Sequence, residues 1–280
     1  LRQPFSVPMT TAQTWPVLHA PNHWQAVDFI SDLHLQPGEP GTFEAWQRYM
    51  AGTSANAVFI LGDLFEVWVG DDVVMNRASA DGPSGSFESR CVEVIQSASQ
   101  RLDVFMMHGN RDFLMGPALM TQCGAQLLDD PTTLEFANQR WLLTHGDALC
   151  LSDTAYMQFR AQVRSNAWQQ AFLAKPLEER RTIARNLRSQ SEARKREHAK
   201  EDYADLDATA AADWLTSAKA KTMIHGHTHK PADHDLGTGL QRIVLSDWDL
   251  QAHPPRAEVL RLGTDPSAPM RRLPLMAAIA

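Results

Sequence analysis

Five short blocks of the sequence bring together aspartate, asparagine, histidine and glycine. The side chains offer nitrogen and oxygen atoms of the kind that bind manganese, iron or zinc at coordination numbers above four. Seven such side chains are more than one tetrahedral ion can use, so the sequence predicts two divalent metal ions. The candidate ligands are Asp32, His34, Asp63, Asn110, His145, His227 and His229.

Asp63 is the ligand expected to bridge the two metals, because one carboxylate can contact two cations about 3.5 to 4 Å apart. Water bound by such cations loses a proton near neutral pH, so it can act as the nucleophile without a serine or cysteine. Glycines beside the ligands, such as Gly62 and Gly109, let the chain turn and leave room for metals and a phosphate. The predicted chemistry is hydrolysis of a phosphate ester or anhydride.

The candidate ligands follow short apolar segments with the composition of buried β-strands. Helical spacing at 42–51 and 87–100 lies between some of them, an alternation typical of an α/β protein. Ligands gather at the carboxyl ends of the strands in such sheets, so five strands would bring the seven side chains together. The predicted strands are 26–31, 57–61, 104–108, 141–145, 222–225 and 243–247.

Residues 152–221 differ from the rest of the chain because they are polar, poor in glycine and without strand-like segments. We interpret them as an inserted helical cap. Residues 175–200 carry nine Lys or Arg against four Glu. This excess indicates either a solvated helix face with salt bridges or an anion-binding surface. The apolar residues of the cap either pack its helices or line a chamber. They include Trp168, Phe172, Leu173 and Leu177.

Composition narrows the possible functions. The formal net charge of −7 argues against nucleic-acid binding as the main activity. The three cysteines lack metal-type spacing, which favours a reducing compartment such as the cytosol. We find no apolar stretch of about 18 residues that could span a bilayer as a helix, and we expect no signal peptide. The expected domains are a flexible extension at 1–24, a core at 25–151 and 222–262, the cap at 152–221 and a tail at 263–280.

The sequence resembles the calcineurin-like metallophosphoesterases, since all five blocks occur in that family's order. The blocks are Asp32-x-His34, Gly62-Asp63, Gly109-Asn110-Arg111-Asp112, His145-Gly146-Asp147 and Gly226-His227-Thr228-His229. The resemblance implies an α/β fold, a two-sheet sandwich flanked by helices. It also implies that one metal is bound by Asp32, His34, Asp63 and His229, and the other by Asp63, Asn110, His145 and His227.

Arg111 departs from the common form of the family, which has histidine after the asparagine, close to the leaving group. Arginine cannot donate a proton at neutral pH, but it can neutralise phosphate charge through paired hydrogen bonds. Such a residue suits a leaving group that is itself a phosphate, which departs without protonation. The substitution therefore favours pyrophosphate cleavage.

Longer strings narrow the resemblance to one group within the family. Residues 62–72, 110–114 and 224–231 resemble the UDP-2,3-diacylglucosamine pyrophosphatases of lipid A biosynthesis. That resemblance implies hydrolysis of UDP-2,3-diacylglucosamine to UMP and 2,3-diacylglucosamine 1-phosphate (lipid X), with Mn²⁺ and with attack of activated water on the α-phosphorus. It further implies peripheral attachment to the cytoplasmic face of the bacterial inner membrane. The implied catalytic residues are Asn110, Arg111 and His227.

The same resemblance implies that the cap holds the acyl chains and the sugar phosphate. Arg188 is a further candidate for phosphate binding. We expect a monomer that uses no nucleic acid. The implied substrate contacts are Asn110, Arg111, Asp153, Tyr156, Ser191 and His227. After Ser191 the chain departs from the family's Asn and Lys, and the candidates for phosphate binding there are Arg194, Lys195 and His198.

Two other functions stay open at this stage. The protein could be a metallophosphoesterase for another substrate, such as a dinucleoside polyphosphate, a cyclic nucleotide or a phosphoprotein. It could also be a scaffold that kept the fold and lost catalysis, although all seven candidate ligands are present. A further set of acidic residues is predicted to orient the ligand imidazoles. These residues are Asp71, Asp72, Asp112 and Asp147.

Overall fold

The computed structural model describes residues 15–75, 86–197, 205–265 and 267–279, with side chains excluded at 190–197. The strands are β1 (Val17–His19), β2 (Ala26–Ile30), β3 (Ala57–Leu61), β4 (Asp103–Met107), β5 (Gln126–Leu128), β6 (Thr132–Phe136), β7 (Gln139–Leu143), β8 (Thr222–His225), β9 (Ala232–Gly237), β10 (Leu240–Val244), β11 (Glu258–Gly263) and β12 (Met270–Pro274). The helices are α1 (Pro40–Gly52), α2 (Asp72–Met75), α3 (Phe87–Ser99), α4 (Pro117–Cys123), α5 (Thr154–Val163), α6 (Asn166–Leu173), α7 (Leu177–Glu197), α8 (Ala208–Ala218) and α9 (Leu275–Ala278).

The strands form two mixed sheets of six strands each. The first sheet has the order β1-β6-β7-β8-β10-β9, and the second has the order β12-β11-β2-β3-β4-β5. In the second sheet β2, β3, β4 and β5 run parallel, and in the first sheet β7, β8 and β10 do so. Parallel neighbours end at the same edge of a sheet, so the loops after these strands lie close together.

The inner core lies between the two sheets. Phe29, Phe59 and Phe105 occupy adjacent strands and stack with ring centroids 5.0 and 4.7 Å apart. They face buried apolar side chains of the other sheet, including Leu143 and Ile224. Alternate residues of each strand point the other way. This alternation gives each sheet a second apolar face that helices must cover.

Helices cover both outer faces. The largest apolar cluster combines residues of α1, α3 and α4 with the outward-facing residues of the second sheet. Helix α8 covers the first sheet through Ala211 and Leu215, which pack with Met223. The protein is thus an α/β sandwich of two sheets flanked by helices, as the family resemblance implied.

The structure differs from the expected domain plan in three places. Val17–His19 pairs with β6 as an edge strand, so this part of residues 1–24 is not a flexible extension, while residues 1–14 lie outside the described set. The tail contributes Met270–Pro274 as a strand paired with β11. Helix α8 belongs to the core, because its apolar face packs on the first sheet, which leaves α5, α6 and α7 as the cap.

Candidate dinuclear metal centre

The seven candidate ligands lie on loops that leave the carboxyl ends of five strands. Strands β2, β3 and β4 of the second sheet provide Asp32, His34, Asp63 and Asn110. Strands β7 and β8 of the first sheet provide His145, His227 and His229. The site therefore lies where the edges of the two sheets meet, and the structure brings together every residue that the sequence predicted as a ligand.

The first group of ligand atoms surrounds Asp32. His229 Nε2 lies 3.2 Å from Asp32 Oδ1 and 3.2 Å from His34 Nε2. Ligand atoms of these three residues all lie within 4.8 Å of one another. Asp63 Oδ2 is 3.9 Å from His34 Nε2, so the shared carboxylate borders this group. The spacing matches that of ligands around a single cation.

The second group lies on the other side of Asp63. His145 Nε2 is 3.8 Å from Asp63 Oδ2 and 3.1 Å from Asn110 Oδ1. His227 Nδ1 lies 2.9 Å from the same Asn110 oxygen. One oxygen of Asp63 thus faces histidines of both groups, which is the arrangement that a bridging carboxylate requires.

The residues fit two divalent cations. Among the described residues, Asp32 Oδ1 accepts no hydrogen bond although it is fully buried. A buried carboxylate oxygen that accepts no hydrogen bond is costly, even with the His229 ring 3.2 Å away, and a cation would remove that cost. Asp63 is also buried, at 1% exposure. Two buried carboxylates with neutral imidazoles and an amide oxygen form a donor set suited to hard or borderline divalent metals.

The buried carboxylates of the site shift the pKa values of the histidines around them. Burial disfavours a charged imidazole, but the Asp63, Asp32 and Asp147 carboxylates together raise the pKa of His145 to about 9. Burial likewise opposes ionisation of Asp32, yet His229 and His145 hold its pKa well below the usual range. His227 behaves differently, because burial and the neighbouring His145 lower its pKa to about 3. His227 is therefore neutral at physiological pH and ready to act as a ligand.

The backbone at the site is conformationally unusual. Five of the seven candidate ligands have positive φ angles between 48° and 69°. Residues other than glycine adopt this region rarely and at a cost of about 1–3 kcal/mol each, which surrounding structure must offset. Hydrogen bonds between the ligand loops do so: Asp32 N–H donates to Gly62 O at 3.1 Å, and His34 N–H donates to Asp63 O at 3.0 Å. The five are Asp32, His34, Asp63, His227 and His229.

Two groups that the sequence analysis did not single out orient the ligand imidazoles. Glu66 Oε2 lies 3.0 Å from Nδ1 of His34. The carbonyl oxygen of Leu61 lies 2.9 Å from Nδ1 of His145. Each contact leaves Nε2 of the ring pointing to the metal site, which is the usual role of groups around metal-binding histidines. Residues 62–66 (GDLFE) belong to a segment noted in the sequence, but the spacing of its residues could not show which carboxylate reaches an imidazole.

The four acidic residues that were predicted to orient the ligand imidazoles form other contacts, so this prediction was wrong. Asp112 accepts hydrogen bonds from the backbone N–H groups of Leu64 and Gly109, both at 2.8 Å. Asp71 accepts from backbone N–H groups at the start of α4. Asp72 and Asp147 pair with arginines of the cap. Short carboxylates on these loops reach the backbone or the cap before they reach a ligand ring.

Arg111 lies at the border of the metal site. Its backbone N–H donates to Asp63 Oδ1 at 2.8 Å, which leaves Oδ2 of that carboxylate for the metals. Its guanidinium lies 3.4 Å from Glu66 Oε1 and is one-fifth exposed. The Arg111 side chain is therefore partly accessible at the edge of the site.

The cap is attached beside the metal centre. Asp147 is fully buried and accepts hydrogen bonds from Tyr156 Oη at 2.6 Å and from Arg160 Nε at 2.8 Å. The Tyr156 ring also stacks on His227, with centroids 6.0 Å apart. Asp153 accepts the backbone N–H of Tyr156 as the N-cap of α5, which directs its carboxylate to the helix end.

The other predicted cap contacts are described less completely. Ser191, Arg194 and Lys195 lie in α7, but their side chains are outside the described set, and His198 lies outside the described residues altogether. Trp168 stacks on Phe172 at 4.8 Å, and both pack against the core cluster near Phe113, so these residues pack the cap. Leu173 is 43% exposed.

The chain belongs to the calcineurin-like phosphoesterase family, which matches residues 26–231. The match contains all seven candidate ligands, and members of the family use divalent metals. The fold and the donor set described above agree with this membership.

Three relatives that this chain resembles share one name. A UDP-2,3-diacylglucosamine hydrolase of Chromobacterium violaceum is 44% identical over 230 residues, which cover 80% of this chain and 90% of that protein. A protein of the same name from Bordetella pertussis is 41% identical over 241 residues, covering 84% and 90%. A third, from Aromatoleum aromaticum, is 40% identical over 227 residues, covering 79% and 88%.

Proposed function

We propose that this protein hydrolyses the pyrophosphate bond of UDP-2,3-diacylglucosamine to give UMP and 2,3-diacylglucosamine 1-phosphate. The observation that carries the proposal is the partly exposed Arg111 guanidinium beside the seven candidate metal ligands, next to a cap rich in basic residues. The relatives named UDP-2,3-diacylglucosamine hydrolase support the substrate.

Two divalent cations, with Mn²⁺ as our choice, would be held by the two ligand groups and would supply Lewis-acid activation of water and of the phosphate. The protein contributes the orientation of these groups. Asp63 keeps one oxygen free because the Arg111 N–H occupies the other. Asn110 positions His145 and His227, since its amide oxygen lies within 3.1 Å of both rings.

Arg111 is the residue that we assign to the leaving group. A lipid phosphate leaves as an anion, so it requires positive charge and not a proton. A guanidinium provides that charge at any physiological pH and can donate two hydrogen bonds to one phosphate. His227 is neutral, because burial and His145 lower its pKa, so it acts in metal and substrate binding and not as a proton donor.

The cap is proposed to bind the rest of the substrate. Tyr156 and Asp153 begin α5 next to the metal site and would contact the glucosamine. Ser191 is proposed for a substrate contact on the family pattern, and the basic Arg194, Lys195 and His198 are proposed as the candidates for the sugar phosphate. The stacking of Trp168 and Phe172 supports a packing role for α6, so acyl chains would meet the exposed apolar side chains nearby.

We further propose peripheral binding to the cytoplasmic face of the inner membrane, as a monomer. No helix among the described residues is long and apolar enough to cross a membrane. Leu151, Phe159 and Leu173 are 44%, 36% and 43% exposed around the cap, and basic residues of α7 lie nearby in sequence. Apolar side chains with basic neighbours favour anionic lipid surfaces. Flotation with vesicles containing anionic lipid should carry the protein upward, and failure to float would contradict this part.

The test of the function is UMP release from UDP-2,3-diacylglucosamine in detergent with added Mn²⁺. Asp63→Ala should lower kcat/KM by on the order of 10³-fold, because it removes the shared ligand and with it the main electrostatic element of the site. Asp235→Ala is the matched control, since Asp235 is an exposed carboxylate on β9.

The outcomes separate the parts of the proposal. UMP release that depends on Asp63 and not on Asp235 supports both substrate and site. Cleavage of a generic phosphodiester without cleavage of the lipid would keep the metal site and overturn the substrate assignment. No Asp63-dependent hydrolysis of either compound would point to a binding protein without catalysis.

A further inference from the structure

Glu66 occupies a position between the metal ligands and the cap. It is 7% exposed and lies three residues after Asp63, on the loop that follows β3. Its backbone N–H donates to Leu35 O at 3.2 Å, and Leu35 N–H donates to Leu64 O at 2.9 Å. These bonds continue the ladder between the two ligand loops, so the backbone of Glu66 is fixed relative to His34.

The two oxygens of the Glu66 carboxylate have different partners. Oε2 lies 3.0 Å from Nδ1 of the ligand His34. Oε1 lies 3.4 Å from Nη1 of Arg111, which comes from the core, and 3.1 Å from Nη1 of Arg188, which comes from α7 of the cap. Although burial opposes ionisation, His34 and the two arginines hold the pKa of Glu66 below its usual range.

We propose that Glu66 is a positioning residue that joins Arg188 of the cap to Arg111, so that the two guanidiniums form one diphosphate-binding clamp beside the metal ligands. Two arginines repel each other unless an anion lies between them. Glu66 provides that anion through Oε1 while Oε2 keeps His34 in place. Since arginine binds phosphate by two parallel hydrogen bonds, a pair held at one oxygen suits a diphosphate better than a single guanidinium does. This inference rests on the proposed pyrophosphatase function.

Two substitutions of Glu66 separate its two contacts. Glu66→Gln keeps an oxygen that can accept from His34 but removes the charge that holds the arginines. Metal affinity, measured by calorimetric titration with Mn²⁺, should stay within about threefold of wild type, while KM for the lipid rises about tenfold. Glu66→Ala removes both contacts, so its affinity for Mn²⁺ should also fall, by about 10- to 100-fold.

The link to the cap is tested by a double-mutant cycle. Arg188→Met should raise KM about as much as Glu66→Gln does. The KM of the double variant should exceed that of either single variant by no more than about twofold, because each substitution removes the same Glu66–Arg188 contact. Arg185→Met is the matched control, since it removes an exposed positive charge one turn earlier in α7. It should leave KM unchanged. Thermal unfolding of all variants confirms that the fold is intact.

Independent effects would overturn the inference: if the Glu66→Gln and Arg188→Met effects on kcat/KM multiply, the two residues do not act together. An unchanged KM in Glu66→Gln would overturn it as well. If the wild-type protein does not cleave the lipid, the proposed function fails, and the same cycle is run on the binding of inorganic pyrophosphate, which carries the diphosphate that the clamp would hold. Non-multiplying effects on that binding support the role of Glu66, and multiplying effects overturn it.

Discussion

A methyl group added at Gly109 provides a direct test of the metal-site geometry. The Cβ of Gly109→Ala would lie 2.0 Å from Asp63 Oδ1 and 2.3 Å from the Asp63 nitrogen. Ordinary contacts begin at about 3.4 Å, so the shared carboxylate must move by about 1 Å or more. A displacement of about 1 Å at a reacting centre can cost about 10²-fold in rate. We expect kcat/KM to fall by that factor and the free energy of unfolding to fall by about 1–3 kcal/mol.

The assay compares Gly109→Ala with Gly38→Ala in one preparation. Gly38 is the matched control, because its added Cβ would meet nothing within 4 Å. Mn²⁺ titration, UMP release and urea unfolding are measured on both variants and on the wild-type protein. We expect Gly109→Ala to bind Mn²⁺ more weakly by about 10-fold or more, since Asp63 is the ligand that it displaces.

The reasoning would be refuted by equal results for the two alanine variants. In that case Asp63 could move without loss, and the close approach of the two ligand loops would have no part in metal binding. A variant that is less stable but keeps normal metal affinity would show that the backbone adjusts elsewhere and that the carboxylate stays in place.

Three further predictions concern charges around the site and in the core. Asp28→Asn removes the charged partner of the buried Arg261, whose Nε lies 2.7 Å from Asp28 Oδ1. We expect this change to lower the free energy of unfolding by about 3–5 kcal/mol. Below the melting temperature kcat/KM should not change. Urea unfolding checks the lower stability, and a loss of activity in the folded variant would contradict the prediction. Asp147→Asn weakens the contact with Arg160 that attaches α5. We expect a higher KM and faster hydrogen exchange of the backbone amides at 154–163. Unchanged exchange would count against this attachment. In metal-free protein the pKa of His145 is raised from 6.5 to about 9, so its charge stabilises the fold below pH 6.5 and this contribution is lost as the pH rises through about 9. Thermal unfolding with a chelator present should show stability falling as the pH rises through about 9. Calorimetry in two buffers should show that a proton is released when Mn²⁺ binds at neutral pH. The absence of both effects would refute the raised pKa of His145.

The sequence predicted the strands that carry the ligands because these are the strands with continuous apolar segments. β2, β3 and β4 are buried almost throughout, which is the pattern of parallel strands covered on both faces. Six strands were missed, and two of them, β6 and β11, lie inside the sheets and are largely buried. Three of the four missed edge strands lack the apolar signal. β9 alternates between half-buried and exposed residues, β12 contains two arginines, and β1 is three residues long. All three are sheet edges, where polar side chains are normal.

The residues that come together at the candidate metal site could also be predicted, but the groups that orient their side chains could not. Residue type and position at strand ends were enough to select seven metal-capable side chains. Orientation depends on tertiary contacts that have no fixed spacing in the sequence. Glu66 reaches His34 from a neighbouring loop, and Leu61 reaches His145 with a backbone carbonyl, which no residue type reveals. Asp147 looked like a similar acceptor because it follows His145 by two residues, yet its carboxylate points to the cap.

Backbone hydrogen bonds link the candidate metal ligands to the contacts with Arg111 and with the cap. The left-handed positions of Asp32, His34 and Asp63 cost energy, and the hydrogen bonds between the loops after β2 and β3 offset it. The same bonds extend to Glu66, so the residue that contacts Arg111 and Arg188 is held by the ladder that holds the ligands. A change that loosens this ladder should therefore weaken metal binding and phosphate binding together. A substitution confined to the cap should weaken phosphate binding and leave metal binding unchanged.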